Sequence, residues 1–319
     1  MRAVVTDYTF PDLELEKEIL SAAGVALHSG QARTASDLVS LVADADAVIT
    51  QFAPLNAEVI GAMKKAKAIV RYGIGVDNVD LEAARARGIP VCNVPDYCIA
   101  EVADHTLAFI LALTRQVLVH SNRVHAGTWG LGTPLASLRS LADMTVGVVG
   151  FGRIGRAVVK RLTAFGGRVL VHDPVADPAE VEAASGVPSD LGGLFALSDC
   201  VTLHCPSTAQ TRGMVNRQTL AAMKTGVLLV NLARGDLVDS GALVEALDTG
   251  KLSGAALDVF SPEPIPPDHA ILKRDNVILA PHIASASVPA VGRLRRAAAS
   301  LAAAAIRGEV LGSVVNGVV

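Results

Sequence analysis

Three side chains suited to acid–base and anion chemistry follow three successive strands late in the sequence. They are Arg234, Glu263 and His282, and the strands before them are predicted at Val227–Asn231, Gly254–Val259 and Val277–Ala280. Open α/β sheets place their sites at the carboxyl ends of their strands. An imidazole, with a free pKa of about 6.5, can exchange a proton at neutral pH, and a guanidinium fork can hold a carboxylate. Taken singly, each is an ordinary loop residue, but together they are candidate catalytic residues.

A glycine-rich turn precedes these residues in the same half of the chain. The predicted strand Thr145–Val149 leads into Gly150-Phe151-Gly152-Arg153-Ile154-Gly155, and a helix is predicted from about Arg153. Gly150 permits a tight turn, Gly152 lets a pyrophosphate approach the backbone, and Gly155 lets the helix pack closely on the strand. Free N–H groups at the helix N-terminus can bind the phosphates. The pattern predicts a dinucleotide site.

An acidic residue follows the next strand at the spacing that a dinucleotide site requires. Asp173 comes after the predicted strand Arg168–His172, about 20 residues beyond the glycines. A carboxylate there can bind both ribose hydroxyls and would repel a 2′-phosphate. We therefore expect NAD as the cofactor, in preference to NADP.

Alternating strands and helices must position these residues. Further strands are predicted at Ala3–Thr6, Ala47–Thr50, Ala68–Arg71, Val91–Asn93 and Cys200–His204, with a short final strand at Ser313–Val315. Helices are predicted at Leu13–Ala23, Asn56–Lys65, Leu81–Arg87, Ile99–Ala126 and Pro289–Ile306. This alternation predicts parallel sheets with helices on both faces. The fold class is therefore α/β with two Rossmann-like domains.

Composition excludes several classes of protein. The net charge of −3 gives no basic surface for nucleic acid, and no apolar run reaches the roughly 18 residues of a membrane span. The N-terminus reads as a strand and not as a signal peptide, so we expect a cytoplasmic protein. The four cysteines are expected to be free thiols. No metal site is expected, because Cys200, His204 and Cys205 lack a fourth ligand.

The chain resembles the D-isomer-specific 2-hydroxyacid dehydrogenase family over essentially its full length. The motifs that carry the resemblance are the segments 71–80, 150–155, 231–235, 254–263 and 281–284. Segments 91–95 and 101–106 resemble the branch that contains the C-terminal-binding corepressors and phosphoglycerate dehydrogenase-like proteins. The resemblance implies a flavodoxin-like substrate domain at residues 1–98 and 287–319, with an NAD-binding Rossmann domain inserted at residues 99–286. It also implies a homodimer formed through the helix Ile99–Ala126.

The resemblance assigns roles to the candidate catalytic residues. His282 matches the general acid/base, Glu263 matches its carboxylate partner, and Arg234 matches the arginine that binds the substrate. A carboxylate beside an imidazole favours the charged form of the ring. The backbone amides of Ile74 and Gly75 match the groups that bind the substrate carboxylate.

Matching positions also imply contacts with the cofactor. Thr106 is expected near the nicotinamide-side phosphate or ribose, and Arg153 and Ile154 near the pyrophosphate. The other expected contacts are His204, Cys205, Pro206 and Thr211 on the adenine side, and Leu232, Ala233, Asp258 and His282 on the nicotinamide side.

Three functions remain open from the sequence. The complete set of Arg234, Glu263 and His282 favours an enzyme that interconverts a 2-oxo acid and a D-2-hydroxy acid. The alternatives are an NAD(H)-sensing regulatory protein of the corepressor type and a phosphite dehydrogenase. The segment Ile49–Leu55, expected to face the substrate by resemblance, contains no Lys or Arg. It therefore favours a compact or moderately apolar 2-oxo acid over a phosphorylated one.

Overall fold

The computed structural model describes residues 1–318. Contacts divide the chain into two compact units. The first comprises Met1–Tyr97 with Ser287–Val319, and the second comprises Cys98–Ala286.

The first unit is built on a parallel sheet. Its strands are β1 (Arg2–Val5), β2 (Ala26–Ser29), β3 (Ala47–Thr50), β4 (Ile69–Arg71) and β5 (Val91–Cys92). Its helices are α1 (Glu14–Ala22), α2 (Ala35–Val42), α3 (Ala57–Ala62), α4 (Leu81–Ala86) and the C-terminal helix α12 (Val288–Arg307). The strand order β2-β1-β3-β4-β5 is the flavodoxin-like order, whose switch point lies between β1 and β3.

Central strands of this sheet are buried on both faces. Every residue of β3 is buried, which explains why its sequence Ala-Val-Ile-Thr shows no polar alternation. Burying each large aliphatic side chain contributes roughly 1.5–3 kcal/mol. The loops at the carboxyl ends of β1, β3 and β4 are therefore fixed to a rigid core.

The second unit carries the larger sheet. Its strands are β6 (Thr145–Val149), β7 (Arg168–His172), β8 (Val187–Pro188), β9 (Cys200–Leu203), β10 (Val227–Asn231), β11 (Leu252–Leu257) and β12 (Val277–Leu279). Its helices are α5 (Ile99–Arg115), α6 (Val117–His125), α7 (Arg153–Thr163), α8 (Pro178–Ala183), α9 (Leu191–Leu197), α10 (Arg217–Ala222) and α11 (Ser240–Asp248). All neighbouring strands pair in parallel, in the order β12-β11-β10-β9-β6-β7-β8. This is a doubly wound sheet with its switch point between β6 and β9.

Local side chains fix where many of the helices begin. A side-chain oxygen accepts a hydrogen bond from a first-turn amide at the N-terminus of eight helices, which satisfies one of the unpaired donors there. These N-cap residues are Thr34, Asn56, Asp80, Asp177, Asp190, Asn216, Asp239 and Ser287.

The prediction of one long helix over Ile99–Ala126 was wrong. Gln116 adopts a left-handed conformation, with φ of 49°, and separates α5 from α6. The two helices meet at an angle of 65°. Helix α5 buries one face, whereas α6 has no buried residue among its described positions. The chain therefore turns at the point where burial of the helix ends.

Two other regions also differ from prediction. No strand or helix was predicted between residues 24 and 46, where the structure forms β2 and α2. Strand β2 lies at the sheet edge and is mostly exposed, so it lacks the apolar run by which a strand is recognised. The short strand predicted at Ser313–Val315 is reduced to an isolated bridge between Cys92 and Val314.

Within residues 1–318, no single helix is long and apolar enough to cross a membrane. The bent pair α5 and α6 passes that test by length and composition alone.

Candidate active site

The three candidate catalytic residues lie in loops at one edge of the larger sheet. Arg234 follows β10, Glu263 follows β11, and His282 follows β12. These strands are neighbours and run parallel, so their carboxyl ends meet at the same edge. The second unit thus collects onto one edge three residues that span 49 positions of the sequence, from 234 to 282.

His282 and Glu263 form a direct pair. The Nδ1 atom of His282 lies 2.8 Å from Oε2 of Glu263, and the side chains are 39% and 35% exposed. The other carboxylate oxygen of Glu263 accepts the Phe260 amide at 2.8 Å. Because Nδ1 is engaged, Nε2 is the ring nitrogen that can exchange a proton with a bound molecule.

The Glu263 carboxylate is kept ionised by its neighbours. Partial burial alone would raise its pKa. The hydrogen bonds from His282 and the Phe260 amide, together with the charges of His282 and Arg234, outweigh burial and hold the pKa of Glu263 below its ordinary value. An anionic partner is therefore present beside the imidazole throughout the neutral pH range.

The backbone around His282 is held by a buried carboxylate. Asp258 is 1% exposed, and its two oxygens accept the amides of Ile283 and Ala284 at 2.8 and 2.9 Å. His282 itself has a φ of 55°, in the left-handed region that side-chain-bearing residues rarely occupy. Such a conformation persists only where the surroundings enforce it. Asp258 supplies that restraint, and its predicted contact with the cofactor stays a prediction.

A buried amide fixes the turn that presents Arg234. Asn231 is 1% exposed; its side chain donates to the Arg234 carbonyl at 2.8 Å and accepts the Ala233 amide at 3.0 Å. The guanidinium of Arg234 also donates to the Ala233 carbonyl at 2.6 Å. A Cβ added to Gly235 would overlap the backbone of Phe260. The loop of Arg234 is therefore packed directly on the loop that carries Glu263.

The glycine-rich turn has the geometry needed to admit a phosphate group. Gly150 has a φ of 99°, and a Cβ there would lie 2.7 Å from the backbone of His204. A Cβ on Gly155 would overlap the Gly150 carbonyl. At Gly152, the residue that precedes α7, no heavy atom of the described chain beyond the two adjacent residues lies within 4 Å of an added Cβ. The helix N-terminus is therefore open at the one position where a pyrophosphate must approach, and the residues present fit a dinucleotide.

Asp173 braces this turn from the end of β7. Its Oδ2 accepts the Phe151 amide at 2.7 Å, and its Oδ1 accepts the amide of Val175 at 2.9 Å. Oδ1 also accepts the Ala176 amide at 3.2 Å. Because each carboxylate oxygen has about two lone-pair sites, Oδ2 can still accept a hydroxyl. Contact with a ribose stays a prediction.

The adenine-side candidates form a compact loop after β9. Thr211 donates to the Pro206 carbonyl at 2.6 Å, and Cys205 is half-buried with its sulfur 3.7 Å from that of Met214. Burial lowers the pKa of His204 to about 3, so its ring, bonded to Thr202 at 2.9 Å, is neutral.

The remaining cofactor candidates differ in exposure. Thr106 is fully buried and donates to the Val102 carbonyl at 2.8 Å, and Leu232 is buried. Arg153 is exposed, and Ile154 and Ala233 are half-buried.

The turn that contains Ile74 and Gly75 lies at the carboxyl end of β4 in the first unit. Gly73 has a φ of 147°, and the Asn93 side chain donates to the Ile74 carbonyl at 2.7 Å. Within residues 1–318, no hydrogen bond uses the backbone amides of Ile74 or Gly75. Both are half-buried, so two amide donors remain available to an anion.

Sequence reasoning missed residues that shape this first-unit edge. Asp7, buried at the end of β1, accepts the amides of Gln51 and Phe52 at 3.0 and 2.8 Å. The guanidinium of Arg71 lies 6.0 Å from the Phe52 ring and occupies the space that a Gly73 side chain would need. In both cases the available signal was a charged residue at the carboxyl end of a buried strand. The segment Ile49–Leu55 therefore has a cation beside it, although it contains none.

Comparison with known proteins shows which family the second unit matches. Residues 107–284 match the family described as D-isomer specific 2-hydroxyacid dehydrogenase, NAD binding domain. A solved structure of D-lactate dehydrogenase from Aquifex aeolicus, complexed with NAD and lactic acid, superposes with a TM-score of 0.86 at 29% identity, over 96% of each chain.

Curated relatives cover most of the chain. Glyoxylate reductase from Thermofilum pendens is 38% identical over 287 residues, which represent 88% of this chain and 84% of that protein. D-3-phosphoglycerate dehydrogenase from Mycobacterium bovis is 37% identical over 280 residues, which represent 88% of this chain and 52% of that protein. The chain thus spans about half the length of the phosphoglycerate dehydrogenases that it matches.

Proposed function

The chain belongs to the D-isomer specific 2-hydroxyacid dehydrogenase family, and on that premise we propose that it interconverts a small 2-oxo acid and the D-2-hydroxy acid. Membership confirms the family resemblance and NAD as the cofactor, and the two parallel sheets confirm the predicted fold class. The observation that carries the proposal is the 2.8 Å pair of His282 and Glu263 at the sheet edge that also bears Arg234.

NAD supplies the hydride acceptor or donor when bound, and the chain supplies the groups around it. Gly150, Gly152 and the N-terminus of α7 would hold the pyrophosphate, because a tight turn and an open backbone there lead directly into the unpaired amides of a helix N-terminus. Asp173 would bind the adenosine ribose. The predicted contacts of Thr106, His204 and Asp258 belong to the same proposal.

His282 would move the proton. In the reducing direction its Nε2–H donates to the keto oxygen, and in the oxidising direction neutral Nε2 accepts the hydroxyl proton. Glu263 holds Nδ1 at 2.8 Å, so it fixes the ring orientation and favours the charged donor. Placing the proton at the oxygen as the carbonyl is reduced contributes typically 10²–10⁴-fold to rate.

Arg234 would bind the substrate carboxylate and polarise the keto oxygen. A guanidinium presents a rigid fork of donors that matches a carboxylate, and the fixed Asn231 turn positions its base. We also propose that the amides of Ile74 and Gly75 bind the substrate carboxylate, because these donors carry no other hydrogen bond within residues 1–318.

A panel of 2-oxo acids tests the proposal. NADH oxidation should be measured with glyoxylate, pyruvate, hydroxypyruvate, 4-methyl-2-oxopentanoate and 3-phosphohydroxypyruvate. The last acid is included because Arg71 brings a cation close to Phe52. Turnover of about 1–10³ per second with one of these acids supports a metabolic enzyme. Tight NADH binding with only trace turnover of every acid would instead support an NAD(H)-sensing regulatory protein. Reduction of NAD by phosphite would support a phosphite dehydrogenase.

Asp173 should determine the preference for NAD over NADP. Asp173→Asn keeps an oxygen that can accept the Phe151 amide but removes the negative charge. We expect the KM for NAD to rise about tenfold or less and the KM for NADP to fall, because a 2′-phosphate no longer meets an anion. Steady-state kinetics with both cofactors gives the ratio of the two kcat/KM values.

Asp239→Asn is a matched control, since this exposed carboxylate caps α11. It should leave the NAD to NADP ratio unchanged. A wild-type protein that already prefers NADP would show that our reading of Asp173 is wrong.

We propose a homodimer whose interface covers the exposed apolar side chains of α6 and of the loop that follows it. Trp129 is 90% exposed and Leu135 is 74% exposed, and Val117, Val124 and Leu131 are exposed as well. Apolar side chains concentrated in one segment mark association surfaces. The cytoplasmic location stays a prediction.

Replacing Leu135 by glutamate should break this dimer. We expect light scattering after gel filtration to give the dimer mass for the wild type and the monomer mass for Leu135→Glu. Trp129 is the only tryptophan, so its emission should move to longer wavelength in the variant. Val310→Glu is the control, because Val310 is 99% exposed and lies far along the chain. A wild-type monomer would contradict the proposal.

A further inference from the structure

A buried carboxylate links two helices and a strand end in the first unit. Glu16, on α1, is fully buried. Its Oε1 accepts the hydroxyl of Tyr72 at 3.1 Å and the Nε of Arg295 at 2.9 Å, and its Oε2 accepts the Nη2 of Arg295 at 2.7 Å. Arg295 lies on α12, and Tyr72 directly follows β4. One carboxylate therefore joins the first helix, the last helix and the end of a central strand.

Other groups close the cluster around these three residues. Arg295 also donates to the carbonyl and the carboxylate of Asp12, at 2.8 and 3.0 Å. The ring of Phe10 lies 5.2 Å from the Arg295 guanidinium carbon and meets the Tyr72 ring edge-on at a centroid distance of 5.2 Å. Burial and the Glu16 carboxylate raise the pKa of Tyr72, so its hydroxyl remains a donor.

The cluster adjoins the turn that we propose binds the substrate carboxylate. The Tyr72 side chain is 1% exposed, and its amide donates to the Thr50 carbonyl at 2.8 Å. The next residue is Gly73, whose φ of 147° starts the turn toward Ile74 and Gly75. Gly73 cannot be fixed by a side chain of its own. The last anchored side chain before the turn is therefore Tyr72.

A buried ion pair is weak evidence for stability, because its desolvation cost offsets its attraction. A restraint on geometry is the more specific use of such a pair. We propose that Glu16, held by Arg295, fixes Tyr72 as the positioning residue for the Gly73–Gly75 turn, so that the amides of Ile74 and Gly75 are preorganised for a carboxylate. This inference deepens the proposed function and rests on it for the identity of the ligand.

The positioning role can be tested without substrate. Tyr72→Phe removes one oxygen and keeps the ring packed. We expect hydrogen–deuterium exchange in a peptide that covers residues 73–79 to speed up about fivefold or more in the full-length apoprotein. Tyr8→Phe is the control, since no hydrogen bond of the described residues uses the Tyr8 hydroxyl. Unchanged exchange in Tyr72→Phe would overturn the proposal, even if the protein proved inactive with every acid.

Kinetics tests the consequence for binding. In Tyr72→Phe the KM for the best 2-oxo acid should rise on the order of tenfold, as expected for a misplaced pair of charge-binding hydrogen bonds, while kcat changes less and the KM for NADH is unchanged. A merely structural role would move both KM values or neither, and either outcome would contradict the proposal. If the wild type turns over no acid, the proposed function fails, and the exchange result still decides the positioning role.

A double-mutant cycle tests whether Glu16 acts on the KM for the acid through Tyr72. Glu16→Gln should raise the KM for the acid as Tyr72→Phe does, and the two changes combined should raise it little further, because they act through one hydrogen bond. Glu18→Gln is the control on the same helix, where the side chain is exposed. Fully multiplicative effects would show that Glu16 does not act through Tyr72. If Glu16→Gln does not fold, the exchange and kinetics of Tyr72→Phe decide alone.

Discussion

Replacing His282 by asparagine is expected to lower kcat for 2-oxo acid reduction by about 10²–10⁴-fold, the usual contribution of a positioned proton donor. Nε2 is the only atom of the His282–Glu263 pair placed to give a proton, since Nδ1 is bonded to Glu263 at 2.8 Å. An amide cannot replace it as an acid. The KM for NADH should change less than threefold or so, because the phosphate-binding turn lies after β6 and is held by its own contacts.

Asparagine is the informative choice at this position because of the backbone. His282 has a φ of 55°, and asparagine tolerates the left-handed region better than most residues. A loss of activity would then reflect lost chemistry and not a displaced loop. His28→Asn, at an exposed position on β2, should retain full activity. An active His282→Asn protein with an unchanged pH profile would remove the basis of the proposed mechanism.

The sequence predicted the site better than it predicted the chain's periphery, for a physical reason. Arg234 and Glu263 follow buried strands and His282 follows the half-buried edge strand β12, and the continuous apolar runs of these strands are the clearest signal in the chain. Parallel order then brings the ends of β10, β11 and β12 to one edge. The contact between His282 and Glu263 came only from the family resemblance, since strand patterns give a shared edge but not a distance.

Other features could not be predicted because tertiary contacts decide them. The break at Gln116 occurs where burial on α5 ends, and no proline or glycine marks it. Glu16 lies in a helix rich in charged residues and would be assigned to the surface. Its partner Arg295 is 279 residues away in the sequence. Hydrophobic periodicity predicts structure only within a short window of sequence. A buried ion pair between the first and last helices therefore cannot be predicted from it.

Glu263→Gln is expected to lower the rate of 2-oxo acid reduction at pH 8 by about 10–100-fold, within the range of a lost acid–base contribution. Reduction needs a charged imidazole, and the neighbouring anion stabilises that form. Glutamine has one acceptor oxygen where Glu263 uses two, for His282 and for the Phe260 amide. The variant therefore loses the charge and one hydrogen bond while it keeps the volume. Glu245→Gln is the control, because its ion pair with Arg217 is exposed.

The sign of the pH effect distinguishes this role from general damage. The pKa of Glu263 is held below its ordinary value, so its contribution is complete above the free glutamate pKa of about 4.3 and is lost only as pH falls through the lower folded value. Across pH 6–9 the variant therefore differs from the wild type by a full negative charge. The alkaline limb of reduction should move to lower pH, because the imidazole gives up its proton more readily. Oxidation of the hydroxy acid needs the neutral ring, so its acid limb should move to lower pH as well. A variant that lost both activities equally at every pH would show that Glu263 supports the loop and does not act on the charge of His282.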